Sequence, residues 1–477
     1  MQVRIAILDN GINQYIFSGR LANNLFVNDY KELEIEKASQ KIHRYVHGTN
    51  CALIIKKYCP EAVFSSIRVL DDNGKGILDK IRPALEWCYQ NNVRLANLSL
   101  GTTHFQDKAI IRDVINYYAN KGMLIVAASA NNDYMTYPAS FSNVIGVAAG
   151  QTFGIGDESH QQKGVDFITP SGHEIMIGEN AVKLTESNSY AAPYVTAMIG
   201  NLLMQESCIN VCQIRKKISP GTSEVNFLRS PDWIEAAWVS EQCYRSEARY
   251  YFKEVKGELI SCISEIDTIV INNREEFEKY HSIGKHIVYL GKEPVEFPLF
   301  DKHYWSTEQR IVQISSCRER ISDINIPIIV CNLDEKQDVI LLLSELKDFF
   351  SNDGYNVYAI SNKIESVLYD LEFFPEGLCS RLNSEQIHNF IYWQTYYQQM
   401  DAVLFGVNLH DSFNLDALKI SADMIVYADD VGGKVKTKVF YDGNLNMEQT
   451  FECLNHKAIG IIYQKIIKLF TESTGEP

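Results

Sequence analysis

Ser187-Asn188-Ser189-Tyr190-Ala191-Ala192-Pro193-Tyr194-Val195-Thr196-Ala197 is the stretch around which the chain is organised. The polar run Thr185-Glu186-Ser187-Asn188 passes directly into small residues that read as a helix from Tyr190 to Leu203. Ser189 is therefore expected at a helix N-terminus, where unpaired N–H groups and the helix dipole favour negative charge. Taken alone, the run reads as a serine cap before an apolar helix. A nucleophilic serine suits the same position, and the rest of the chain decides between the two.

Val3 to Leu8 is a nearly continuous apolar run, the pattern of a strand buried on both faces. It ends at Asp9-Asn10-Gly11, with the carboxylate at the strand's C-terminal edge, where open parallel sheets build their sites. His47-Gly48-Thr49 leads into the helical segment from Cys51 to Lys57. A strand from Ala62 to Leu70, a helix from Ile77 to Gln90 and a buried strand from Arg94 to Leu100 come after it. A helix from Asp107 to Lys121 and a strand from Met123 to Ala128 come next, the latter ending in Ser129-Ala130-Asn131-Asn132. Alternation of this kind predicts βαβ units and a mostly parallel sheet.

An acid, a histidine and a serine thus occur in the order Asp9, His47, Ser189, with the amide of Asn131 between the last two. That is the chain order of subtilisin. Ala6-Ile7-Leu8-Asp9-Asn10-Gly11 and His47-Gly48-Thr49 resemble that family's aspartate and histidine motifs. Ile67-Arg68-Val69-Leu70 and Asn97-Leu98-Ser99-Leu100-Gly101 resemble its substrate-flanking strands. Val126–Asn131 resembles the oxyanion-asparagine segment, Tyr137–Val147 the family's next segment along the chain, and Ser189-Tyr190-Ala191-Ala192-Pro193 the serine motif. Residues 1–218 are similar to a subtilisin-like serine protease domain.

The resemblance implies a role for each residue. His47 would take the proton of Ser189 and later protonate the leaving amine, while Asp9 would fix the imidazole tautomer. Asn131, with the Ser189 N–H, would bind the oxyanion, and Ser99, Leu100 and Gly101 would lie beside the substrate backbone. The chain departs from the family in three places: Ser187-Asn188 stands for Gly-Thr, Tyr194 for a histidine, and Ala130 for a glycine. A lost glycine with positive φ would leave its replacement strained. All four catalytic positions are filled, which favours an active serine endopeptidase. No calcium-loop pattern is present, so Asp71–Asn73 and Asn131–Asp133 read as turns, with no metal and no cofactor expected. Asp9 lies nine residues in, which leaves no room for a folded pro-segment.

A chain of 477 residues exceeds one ordinary core and predicts two or three domains. At 46% hydrophobic and 22% charged it is of the globular class, and a net charge of −15 without a basic block argues against nucleic acid as partner. No run approaches the roughly 18 apolar residues of a membrane span. The N-terminus enters a strand directly, so a signal peptide is not expected. Eleven scattered cysteines without a CxxC pair favour a cytoplasmic, reducing setting.

After residue 218 the pattern changes. Turn-rich Ser219-Pro220-Gly221 and Ser230-Pro231-Asp232 predict a linker over 219–250, and 251–477 reads as a second α/β domain. The expected fold class is therefore α/β, a subtilisin-like parallel sheet flanked by helices and succeeded by a second α/β domain. The loop Cys331–Lys336 lies where a phosphate loop would, but it has no glycine and carries two acids. The order of elements around Pro327–Ile360 and Asp401–Asp411 resembles an accessory domain of bacterial peptide-maturation systems, and it is expected to recruit substrate or partner. The resemblance then implies a peptide or protein substrate, a ribosomally made precursor peptide in particular, with other maturation proteins as partners. The competing reading is a subtilisin-like protein that holds a peptide without cutting it.

Overall fold

The structure is a computed structural model, and it describes all residues except 1, 37–45, 72–75, 77, 219–229, 297–300, 318–322, 376–381, 383, 409–420 and 475–477. The chain divides into two compact units, Met1–Phe227 with Pro298–His303, and Leu228–Phe297 with Tyr304–Pro477.

The first unit is built on β1 (Arg4–Asp9), β2 (Arg20–Val27), β3 (Leu33–Ile35), β4 (Val63–Arg68), β5 (Leu95–Leu98), β6 (Leu124–Ala128), β7 (Ile145–Ala149), β8 (Gly154–Ile155) and β9 (Phe167–Thr169). These form one sheet in the order β3-β2-β4-β1-β5-β6-β7-β9-β8. Every neighbouring pair is parallel except β2 with β3 and β8 with β9. The helices are α1 (Val46–Tyr58), α2 (Ile81–Gln90), α3 (Lys108–Asn120), α4 (Glu158–Gln162), α5 (Asn188–Gln205) and α6 (Val211–Ile218), and β10 (Glu174–Ile177) and β11 (Asn180–Lys183) form a separate hairpin.

The apolar run at the N-terminus is explained by burial on both faces. Ile5 and Ile7 of β1 join the core under α1 and α5, and Ala6 and Leu8 join the core under α2 and α3. Chain crossings leave β1 between β4 and β5, so Asp9 ends at the sheet's C-terminal edge beside the ends of those two strands. A buried ion pair, Arg215 to Asp166 at 3.0 Å, closes the far side. Its charges are shared with the carbonyls of Ser142 and Val144 and with the Gly146 N–H, as a buried pair requires.

The second unit holds two sheets. One comprises β12 (Ala236–Val239), β13 (Lys253–Glu254), β14 (Thr268–Ile271), β15 (His286–Tyr289) and β16 (Tyr304–Ser306), all parallel, in the order β13-β12-β14-β15-β16. The other comprises β17 (Ile328–Leu333), β18 (Val357–Ser361), β19 (Glu372–Phe373), β20 (Ala402–Asn408), β21 (Met424–Val431), β22 (Lys434–Tyr441) and β23 (Asn444–Phe451), in the order β19-β18-β20-β17-β21-β22-β23. Its helices are α7 (Leu259–Cys262), α8 (Arg274–Tyr280), α9 (Thr307–Ser315), α10 (Val339–Asn352), α11 (Ser384–Tyr397) and α12 (His456–Thr474).

The linker expected over 219–250 is corrected in part. Residues 219–229 lie outside the described residues, but from Ser230 the chain already belongs to the second unit, where β12 pairs with both β13 and β14. The return of 301–303 to the first unit was also not foreseen. Lys336 of the glycine-free loop pairs with Asp430 at 3.2 Å and is 73% exposed, a solvated lysine as expected. Among the described residues, no helix is long and apolar enough to cross a membrane.

Candidate active site

Asp9 is the last residue of β1 and is fully buried. A buried carboxylate requires donors, and it accepts from the Asn10 N–H at 2.7 Å and faces His47 Nδ1 through both oxygens, at 2.9 and 2.8 Å. A carboxylate can only accept, so Nδ1 carries the proton and Nε2 of a neutral His47 is the basic nitrogen. His47 stands in the first turn of α1, one turn earlier than the segment read as helical. The side chain of Asn10 fixes that turn by accepting the Gly48 N–H at 3.0 Å. Gly48 itself has to be small: an added Cβ would meet the Gly11 carbonyl at 2.5 Å.

Burial pulls the His47 pKa down, but the hydrogen bond and charge of Asp9 outweigh it and raise the value above the ordinary 6.5. Tyr190 stacks on the imidazole with ring centroids 5.4 Å apart, and its hydroxyl is held by Asn50 at 3.0 Å.

Ser189 opens α5, as expected. Pro193 lies four residues on and has no N–H to offer the Ser189 carbonyl, so that carbonyl takes the Ser99 hydroxyl at 2.9 Å instead. Asn97 Nδ2 donates in turn to Ser99 at 3.0 Å. The hydroxyl of Ser99 is thus spent on positioning the serine turn, and Ser99, Leu100 and Gly101 all line the cleft. Gly101 is tight because a Cβ there would meet Thr136 Cγ2 at 2.6 Å and the Tyr137 carbonyl at 2.9 Å. Thr102 exchanges both backbone hydrogen bonds with Tyr137 at 2.9 and 2.8 Å, which pins this segment on that side.

Asp9, His47 and Ser189 line one cavity of about 790 Å³, together with Leu70, Leu100 and Gly101. Among the described residues, neither His47 Nε2 nor the Ser189 hydroxyl makes a hydrogen bond. Asn131 is exposed at the end of β6 and is not among the cavity's lining residues. Its Oδ1 accepts the Asn188 N–H at 2.9 Å, which ties it to the first residue of α5 and leaves its NH2 as the free donor.

The three departures from the family each find a physical account. Asn188 accepts the Ala149 N–H at 2.7 Å and donates to the Ala130 carbonyl, joining the ends of β6 and β7 to the start of α5. Ser187 is extended, with φ −163°, and Ala130 is not among the non-glycine residues with positive φ, so the lost glycines leave no strain. Tyr194 packs among Tyr58, Phe153 and His173. Asn10, Asn188 and Tyr190 were not singled out as site residues. Their hydrogen-bond partners are mostly tens of residues away in sequence, and Asn188 announced itself only as a departure.

Among the described residues, one donor set could ligate a metal: atoms of Asp9, His47 and Cys51 lie within 4.8 Å of one another. Burial and the Asp9 charge push the Cys51 thiol well above its ordinary range, which keeps it protonated and a poor ligand.

The profile of the Subtilase family matches residues 1–219. The chain is similar to the minor extracellular protease Epr of Bacillus subtilis, 28% identical over 45% of this chain and 34% of that protein. It is similar to the thermophilic serine proteinase of Bacillus sp. strain AK1, 28% identical over 46% and 57% of the two chains. Subtilisin BL of Lederbergia lenta is 26% identical over 41% and 71%. The chain thus spans about a third to a half of the first two relatives' length, and the similarity lies in its own first half. An aspartate, a histidine and a serine converge here at the C-terminal edge of a parallel sheet, and the profile match supports a subtilisin-like domain over residues 1–219.

Proposed function

We propose that the protein is a serine endopeptidase. The observation that carries this reading is the closed Asp9–His47 pair at 2.8–2.9 Å, with Ser189 lining the same cavity at the start of α5. Neutral His47 accepts the Ser189 proton at Nε2 as the hydroxyl oxygen attacks the peptide carbonyl carbon. The carbonyl π pair moves onto oxygen, where the Ser189 N–H and the Asn131 NH2 stabilise it. Collapse breaks the C–N bond, and the Nε2 proton goes to the leaving amine. Water then repeats the sequence on the acyl-enzyme.

The substrate in this reading is a ribosomally made precursor peptide, and the second unit recruits it or a maturation partner. We place the reaction in the cytoplasm, since the buried Cys51, Cys59, Cys88, Cys243, Cys262, Cys317 and Cys331 are all free thiols. The open Ser189–His47 pair favours one competing reading, a protein that holds a peptide without turnover. A fluorophosphonate probe separates the two. The native protein is expected to be labelled, and Ser189→Ala is expected not to be. A folded native protein that resists the probe supports the peptide-holding reading instead.

A further inference from the structure

We infer that the substrate cleft continues past the catalytic cavity into a groove between α2 and α3, and that this groove holds a distal segment of the same peptide. The inference rests on the protease reading above and names part of its substrate. A second cavity of about 540 Å³ lies along the two helices and shares Leu78, Ile81 and Ile111 with the catalytic one, so the two adjoin across these side chains.

Beyond the shared wall the lining is apolar, from Pro83, Ile110, Val114 and Tyr117, and Ile110 is 57% exposed. An extended peptide that leaves the segment at Leu100 and Gly101 would cover these side chains. The charges at the rim select what else it carries. Lys31 is taken by Asp79 at 2.6 Å, and Glu86 by the Tyr118 hydroxyl and Gln90, both at 2.6 Å. Arg82 is exposed and makes no hydrogen bond or ion pair among the described residues, although its charge acts on Glu86 and Tyr118 in the same groove. The groove therefore fits a segment with an aliphatic side chain for the floor and a carboxylate for Arg82. A guanidinium receives a carboxylate through two parallel N–H donors.

The test uses a proteome-derived peptide library. Its most rapidly cut member is trimmed to a short core and then extended by six residues, containing one Leu and one Glu, at one end or the other. Six extended residues reach roughly 20 Å. One of the two extensions is expected to raise kcat/KM about tenfold through KM, the effect of burying part of one aliphatic side chain. The readout within each variant is the ratio of extended to core peptide. Arg82→Glu should remove the gain for the Glu peptide and transfer it to a Lys peptide. Ile110→Asp, at an exposed position, should remove the gain for both. A gain from neither end, or one that both variants leave intact, overturns the groove while the protease reading stands. A library left uncut by protein whose Ser189 resists a fluorophosphonate overturns both.

Discussion

Asn188 stands one residue before the proposed nucleophile, and each of its polar groups is engaged. The backbone N–H holds Asn131, the amide oxygen holds the end of β7, and the amide nitrogen holds the end of β6. Replacing it with alanine orphans the half-buried Ala149 N–H, which costs roughly 1–3 kcal/mol. It also unties the start of α5 from the ends of β6 and β7, and a misplacement of about 1 Å can cost about a hundredfold in rate. Asn188→Ala is therefore expected to lower kcat by one to two orders of magnitude with little change in KM. Unchanged kcat would show that the two side-chain bonds are incidental. His47 supports a separate prediction. Its raised pKa keeps the imidazole protonated to a higher pH than an ordinary histidine, and only the neutral ring can take the Ser189 proton. As the pH falls through that raised value, activity is lost. The acidic limb of kcat/KM between pH 5 and 9 should lie above 6.5, and a midpoint below 6.5 would contradict the Asp9 coupling.

At the level of elements, legibility tracked burial. β1, β5, β6 and β17 are covered on both faces and read as continuous apolar runs, and α10 and α12 carry apolar residues at helical spacing. Several of the elements not foreseen lack such a signal. β2 contains Ala22-Asn23-Asn24 and pairs near the sheet edge with a register shift, and β13 has two residues. β22 and β23 were legible in principle, since Gly432-Gly433 and Asp442-Gly443 all have positive φ and form the two-residue turns that such dipeptides favour. The alternation Val435, Thr437, Val439 was there as well. β12 was hidden because the Ser230-Pro231-Asp232 turn before it reads as linker, and its four residues are too few to show a period. The site divided in the same way. Asp9, His47 and Ser189 were visible because each sits in a local motif, whereas Ser99's true contact depends on a proline 94 residues away that removes a donor from the Ser189 carbonyl.

At the level of the whole chain, the subtilisin-like unit is not contiguous, because residues 301–303 return to it from the second half of the sequence. What they hold is α6. The Asp301 carbonyl accepts from Asn210 Nδ2 at 3.0 Å, and Asn210 Oδ1 caps the helix by accepting the Gln213 N–H at 3.0 Å. His303 is buried against Asn143, with Nε2 2.9 Å from its Oδ1, and Nδ1 lies 3.7 Å from Cys212 Sγ. Further along α6, Arg215 makes the buried pair with Asp166. A chain cut after Phe227 keeps every proposed catalytic residue but loses this strap. It leaves buried polar groups without partners at a cost of roughly 1–3 kcal/mol, and a domain of this size loses about 2–4 °C of Tm per kcal/mol. The truncated chain is expected to melt lower and to alkylate faster at Cys212, which the strap helps to cover. His303→Ala in the full-length chain separates the strap from the rest of the second half, since it should reproduce the faster alkylation with every other residue present. Equal melting and equal Cys212 reactivity in the truncated and full-length chains would mean that residues 1–227 are complete without the strap.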